Sequence, residues 1–236
     1  PKPQNPISDN SVDFDRVIIV SRDNNKTNKM QGHYHNCCTT FKESLLILLF
    51  EFLGTCFLTS LFTATFQIGD VAGLVSGFFI LLIFSARISG SHFNPAITLA
   101  FMFRRDTGRF SRMLGLLYIL AQYAGAMVGS LFTYNLFEAA FRQPLSVLYH
   151  GDSPLIVQAI FVEMLGAMLI TFLYLTQTEE KTKMSGDPAI TTLIITATYV
   201  AVIQSGEASG AVSGSPYNPA SAFGLMMGML LKGDIK

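Results

Sequence analysis

Apolar residues in this chain do not alternate with polar ones at a helical or strand period; they run on in long blocks separated by short polar or Gly/Pro-containing breaks. A membrane helix needs about twenty mainly apolar residues to cross roughly 30 Å of hydrocarbon at about 1.5 Å per residue. Five blocks meet that requirement, at 44–66, 71–88, 113–137, 155–176 and 189–205. Inside them only Glu51, Glu163 and the boundary residue Arg87 carry charge. Two further apolar stretches, 95–103 and 219–231, are too short to span and each follows a Gly/Ser-rich loop, the pattern of a re-entrant half-helix. The expectation is an all-α membrane protein. Residues 1–43 form a polar tail, and residues 44–236 form a membrane domain built from a first repeat at about 44–137 and a second at about 155–236.

Charge gives the chain an orientation. Lys42 precedes the first span, Arg104, Arg105, Arg109 and Arg112 follow the second, and Lys181 and Lys183 follow the fourth, while the opposite loops carry little beyond Arg142. The positive-inside bias therefore places the N-terminus in the cytoplasm. The sequon Asn25-Lys26-Thr27 should then stay unglycosylated. The tail lacks the basic start, apolar run and small-residue cleavage site of a secretory signal.

The chain also repeats itself. Glu51-Phe52-Leu53-Gly54-Thr55 is echoed by Glu163-Met164-Leu165-Gly166-Ala167, and Asn94-Pro95-Ala96 by Asn218-Pro219-Ala220. Two such tripeptides arise by chance only on the order of once in a thousand at average residue usage, before their matching contexts are counted. The first copy holds three spans, so the second copy lies inverted with respect to it. An inverted repeat places a passage or binding site near the bilayer midplane, where broken helices meet.

The residues suit that place. Asn is a favoured N-cap and Pro fits the first helical position, where its missing N–H would be unpaired anyway. Two half-helix N-termini meeting at mid-membrane would bring their positive dipole ends together and offer the amides of Asn94 and Asn218 to one passing molecule. Such a centre accepts a neutral oxygen, disfavours cations and interrupts a proton-conducting file. Glu51 and Glu163 would be costly if left unpaired in hydrocarbon, so both should face the bundle interior. Gly73, Gly77, Gly125, Gly129 and Gly166 permit close helix packing.

Ser89-Gly90-Ser91-His92-Phe93-Asn94-Pro95-Ala96-Ile97-Thr98 and Tyr217-Asn218-Pro219-Ala220 resemble the two signature loops of the aquaporin, or major intrinsic protein, family, and Gln122-Tyr123-Ala124-Gly125-Ala126 also fits. The similarity runs from about Glu43 to Leu231. It implies an aquaporin-like inverted repeat with five transmembrane helices and two re-entrant half-helices. It also implies a passive channel for water and small neutral solutes such as glycerol, pore-lining by His92, loop-bracing by Glu51 and Glu163, and a homotetramer in membrane lipid.

Departures from the family accompany the likeness. Family members usually carry Arg after the second Asn-Pro-Ala, where this chain has Ser221. Counting back without gaps puts Leu74, Gly206 and Ser215 at the other constriction positions, so the outer filter should be wide and uncharged. By repeat logic the 113–137 span should also have a counterpart after Leu231, yet the sequence ends at Lys236. A sixth helix is therefore absent from this chain; truncation, a partner chain filling the place, and a pore that no longer closes remain open.

Composition bears mainly on what is excluded. Half the residues are hydrophobic and 14% charged, with sixteen acidic and sixteen basic side chains, so no basic surface is left for nucleic acid. No Ser/His/Asp set, phosphate-cradling glycine motif or zinc spacing suggests an enzyme or a cofactor. His33, His35, Cys37 and Cys38 form a compact cluster in principle able to take a metal, but acylation of Cys37 and Cys38, or no role, is the plainer reading. A non-conducting subunit that keeps the fold as a scaffold in a larger assembly is the alternative to a channel.

Overall fold

The computed structural model describes residues 31–104, 110–136, 149–150, 153–208, 213–214 and 216–232, with the side chains of 31–42, 66–68, 149–150, 153–154, 207–208 and 232 left aside. Seven helices account for nearly all of them. They are α1 (Gln31–Ile68), α2 (Val71–Ser85), α3 (Pro95–Phe103), α4 (Arg112–Leu136), α5 (Ile156–Thr178), α6 (Pro188–Ala208) and α7 (Pro219–Lys232). A two-residue pairing of Tyr149–His150 with Ser153–Pro154 lies between α4 and α5. Within these helices, Glu43–Thr65, Arg112–Leu136, Ile156–Thr178 and Pro188–Gly206 are long and apolar enough to cross a membrane.

Beyond shifts of one to three residues at other ends, such as α6 running to Ala208 where 205 was expected, two boundaries bear on the argument. Helix α1 begins at Gln31, well before the apolar block, because backbone helicity continues through polar residues that carry no apolar pattern. Helix α2 stops at Ser85, three residues short, giving 15 residues, or about 22 Å. The chain turns there: Ser89 N–H bonds the Ser85 carbonyl at 3.0 Å, the Ser85 and Ser91 hydroxyls pair at 2.7 Å, and Gly90 takes φ +83°. That left-handed conformation is one a glycine adopts without strain.

Side chains are distributed inside out relative to a water-soluble protein. Phe84, Phe161 and Phe103 are 73%, 69% and 76% exposed, whereas Glu51, Thr55, Thr59, Thr98, Gln122 and Thr133 are buried. On α1 the polar stripe Glu51, Thr55, Thr59, Thr63 recurs every four residues, so it occupies one helix face. Its threonines turn partly on their own helix, Thr55 donating to the Glu51 carbonyl at 2.7 Å and Thr63 to the Thr59 carbonyl at 2.8 Å. A lipid-facing exterior and a hydrogen-bonded polar interior are what hydrocarbon demands of a bundle.

The repeat is visible in the backbone. Gly90 and Gly214 both have positive φ, as do Phe93 and Tyr217, each the residue before its Asn-Pro-Ala. Gly54 and Gly166 match in the same way: a Cβ at either would fall 1.9 Å from the Phe93 ring and 2.3 Å from the Tyr217 ring respectively. Helix α4 lies along α1 and α7, its Gly125 and Gly129 so close to α1 that a Cβ would sit 2.2 Å from the carbonyl oxygens of Phe52 and Cys56.

Candidate functional site

The site is where the two half-helices start. Asn94 has extended backbone (φ −147°, ψ 120°), and its Oδ1 accepts the Ala96 N–H at 2.9 Å with Pro95 at the first helical position. Asn218 repeats this: its Oδ1 accepts the Ala220 N–H at 3.1 Å and the Ser221 N–H at 3.4 Å, with Pro219 opening α7. Both caps satisfy amides that would otherwise be orphaned at a buried helix start.

The two loops are tied across the repeat. Asn94 Nδ2 donates to the Tyr217 carbonyl at 2.9 Å, and Asn218 Nδ2 to the Phe93 carbonyl at 2.8 Å. A carboxamide nitrogen carries two hydrogens. One is used by the opposite loop, which fixes the orientation of the other. The arrangement presents a pair of polar donors in the buried interior, beside two helix N-termini whose dipoles repel cations.

Glu51 and Glu163 hold the loops from behind. Glu51 accepts the Ser89 hydroxyl at 2.6 Å, the His92 N–H at 3.0 Å, the Phe93 N–H at 2.8 Å and the Gln122 amide at 2.8 Å. All four partners are donors, which suits an acceptor-only carboxylate. Glu163 accepts the Ser213 hydroxyl at 2.5 Å and the Tyr217 N–H at 3.0 Å. At the position matching His92 the second loop has Pro216, which has no N–H to give. Gln122 also donates to Thr98 at 2.9 Å, joining α4 to α3 through the same knot.

His92 is 3% exposed and enclosed by rings. Phe101, Phe110, Tyr118 and Tyr174 have centroids 4.5, 5.5, 5.3 and 6.0 Å from its own, and its Nδ1 lies 3.2 Å from the Thr98 hydroxyl. Tyr118 donates to the Ser89 carbonyl at 2.8 Å and Tyr174 to the Gly90 carbonyl. This aromatic enclosure was not evident in the sequence, where the same residues resemble ordinary core positions spread over three helices and the loop before α4.

The described outer-filter candidates lie on three separate helices, α7, α2 and α6. The Ser221 hydroxyl pairs with Thr59 of α1 at 3.0 Å and is buried. Leu74 on α2 and Gly206 on α6 are buried, and Ser215 lies outside the described residues. The histidine and cysteine cluster of the tail also lies outside the described side chains. Among the described residues no group of three His, Cys, Asp or Glu is placed to hold a metal.

Comparison with known proteins agrees with this geometry. The sequence pattern of the family "Major intrinsic protein" matches residues 26–229. The glycerol uptake facilitator protein-like 6 of Lactiplantibacillus plantarum is 39% identical over 135 residues, covering 54% of this chain and 59% of that one. Aquaporin-5 of Sus scrofa is 29% identical, covering 78% of this chain and 67% of its own length. The X-ray structure of the aquaglyceroporin from Plasmodium falciparum superposes with a TM-score of 0.62 at 21% identity, over 80% of this chain and 83% of that one, a likeness of fold. A paired set of Asn-capped half-helices inside an inverted helical repeat, together with a match over most of its length, makes this chain an integral, multi-pass membrane protein of the major intrinsic protein family.

Proposed function

We propose that the chain forms a passive channel for water and small neutral solutes, with Asn94 and Asn218 as the central donors. The observation that carries this reading is the crossed pair of Asn94 and Asn218 hydrogen bonds, which holds two amides together in the buried interior. The names of two relatives, a glycerol uptake facilitator and an aquaporin, support the solute class. His92 lines the inner half. Glu51 and Glu163 keep the loops in place, a structural duty rather than a proton relay. At the outer constriction Ser221 with Leu74, Gly206 and Ser215 forms an uncharged filter, so size selection is relaxed and glycerol passes beside water. The protein assembles as a homotetramer in the bilayer, with the 1–43 tail cytoplasmic and 44–236 as its membrane domain.

The experiment is osmotic shrinkage and glycerol re-entry, followed by light scattering in proteoliposomes carrying the full chain or its Ser221→Arg variant. An uncharged filter predicts fast re-entry of glycerol in the wild type and slowed re-entry in S221R, with water flux retained. A wild type at the rate of empty vesicles would instead favour a non-conducting scaffold.

A further inference from the structure

His92 has two ring nitrogens, and its neighbours decide which of them holds the proton. Nδ1 lies 3.2 Å from the Thr98 hydroxyl, while Nε2 makes no hydrogen bond to any described residue. Thr98, on α3 and fully buried, has two further polar neighbours. Gln122 Nε2 lies 2.9 Å from its oxygen, and the Asn94 carbonyl, one helical turn back, lies 3.2 Å away. Glu51 sets the direction of the Gln122 contact. A carboxylate only accepts, so the Gln122 nitrogen must face it, and that same nitrogen donates to Thr98.

A hydroxyl has one hydrogen and two lone pairs. At Thr98 one lone pair receives the Gln122 N–H, so the hydrogen goes either to the Asn94 carbonyl or to His92. If it goes to Asn94, the second lone pair receives His92 Nδ1–H, all three sites of the hydroxyl are used, and Nε2 is a bare acceptor. If it goes to His92, the second lone pair is idle and Nε2 carries an N–H with no acceptor among the described residues, on a side chain only 3% exposed. The first arrangement makes three bonds at Thr98 and the second two. It also spares the desolvation of an orphaned donor.

We propose that Thr98 is a positioning residue for His92: it holds the imidazole in the Nδ1–H form, so that Nε2 accepts a hydrogen bond from the hydroxyl of a passing water or polyol. This rests on the channel reading above. The imidazole stands two residues before Asn94, whose amide is a donor. One loop thus offers both an acceptor and a donor to a solute group that is itself both. The second loop has Pro216 at the matching position, so the acceptor duty falls to the first loop.

The test uses proteoliposomes of the full chain as wild type, Thr98→Val, Thr98→Ser, His92→Phe and the double variant of Thr98→Val with His92→Phe, each checked for an unchanged elution profile and helicity. Histidine is isotope-labelled at its ring nitrogens, the loss of signal in His92→Phe assigns the resonances, and NMR reports which nitrogen is protonated. Water and glycerol fluxes are recorded on the same vesicles. Wild-type His92 should be in the Nδ1–H form. Val removes the acceptor, so Thr98→Val should lose that form and both fluxes should fall about fivefold, the factor that one hydrogen bond is worth. Thr98→Ser should restore both. His92→Phe should fall to the same level and the double variant no further, because Thr98 acts through the imidazole. A purely structural Thr98 would lower flux equally with and without His92 and leave the ring form unchanged. Any other ring form in the wild type, an unchanged ring form or flux in Thr98→Val, or a further loss in the double variant would overturn the inference, and a wild type faster than empty vesicles would leave the channel standing. Wild-type flux equal to empty vesicles would remove the channel reading and the duty of Nε2 with it.

Discussion

Replacing Glu51 with Gln tests how the first loop is held. The carboxylate accepts four bonds, from Ser89 and His92 on Oε1 and from Phe93 and Gln122 on Oε2. Gln turns one oxygen into an NH2 group, which must oppose a donor wherever it is placed. On the Oε2 side it faces the Phe93 N–H and the Gln122 amide. On the Oε1 side the Ser89 hydroxyl can turn to accept, leaving the His92 N–H orphaned, so that side is cheaper. One orphaned buried amide, together with the loss of charge from the remaining bonds, costs about 3 kcal/mol. In a chain of this size that lowers the thermal midpoint by about 6–12 °C. Glu163→Gln provides the internal comparison. Its described partners are Ser213 and the Tyr217 N–H, and Pro216 offers nothing to orphan, so the nitrogen can sit on the Ser213 side at a cost of about 1 kcal/mol. Thermal unfolding of the purified protein in detergent, followed by circular dichroism, measures both. A loss in E51Q no larger than in E163Q, or within about 2 °C of wild type, would refute the reasoning.

Three further outcomes are expected. Gly129→Ala places a Cβ 2.2 Å from the backbone oxygen of Cys56, which cannot move aside as a side chain can, whereas Gly186 has nothing within 4 Å. G129A should therefore lose about 1–3 kcal/mol in an unfolding experiment and G186A almost nothing. Thr59→Val removes the partner of the Ser221 hydroxyl while nearly keeping shape; with Ser221 buried, stability should fall by about 1 kcal/mol, measured by the shift of the same thermal transition. Expressed in a eukaryotic membrane, Asn25 should carry no glycan, and a glycosidase-sensitive mobility shift abolished by Asn25→Gln would reverse the proposed orientation.

The half-helices were legible in the sequence because their starts are written in local chemistry. An Asn-Pro pair after a Gly/Ser loop specifies a capped helix whatever surrounds it, and α3 begins at Pro95 and α7 at Pro219 as expected. The inward position of Glu51 followed from the cost of a bare carboxylate in lipid. Its partners were less accessible: Gln122 is distant in sequence and joins the knot only because α4 lies along α1. The early end of α2 depends on Ser85, Ser89 and Ser91 bonding one another, which an apolar count through Ile88 cannot register. Tyr199 and Phe78 were invisible as a pair. Aromatic residues on apolar helices carry no sequence sign of their neighbours, and only the approach of α2 to α6 brings these two rings together.

The most direct measurement of the central claim is osmotic water flux through proteoliposomes containing the wild-type chain, compared with Asn94→Asp, Asn218→Asp and empty vesicles. Each Asp keeps the capping oxygen but replaces the crossed amide donor with an acceptor facing the opposite loop carbonyl. The account predicts wild-type flux well above empty vesicles and its loss in both variants. Flux in either variant equal to that of a conducting wild type would contradict the assignment of Asn94 and Asn218 as the central donors.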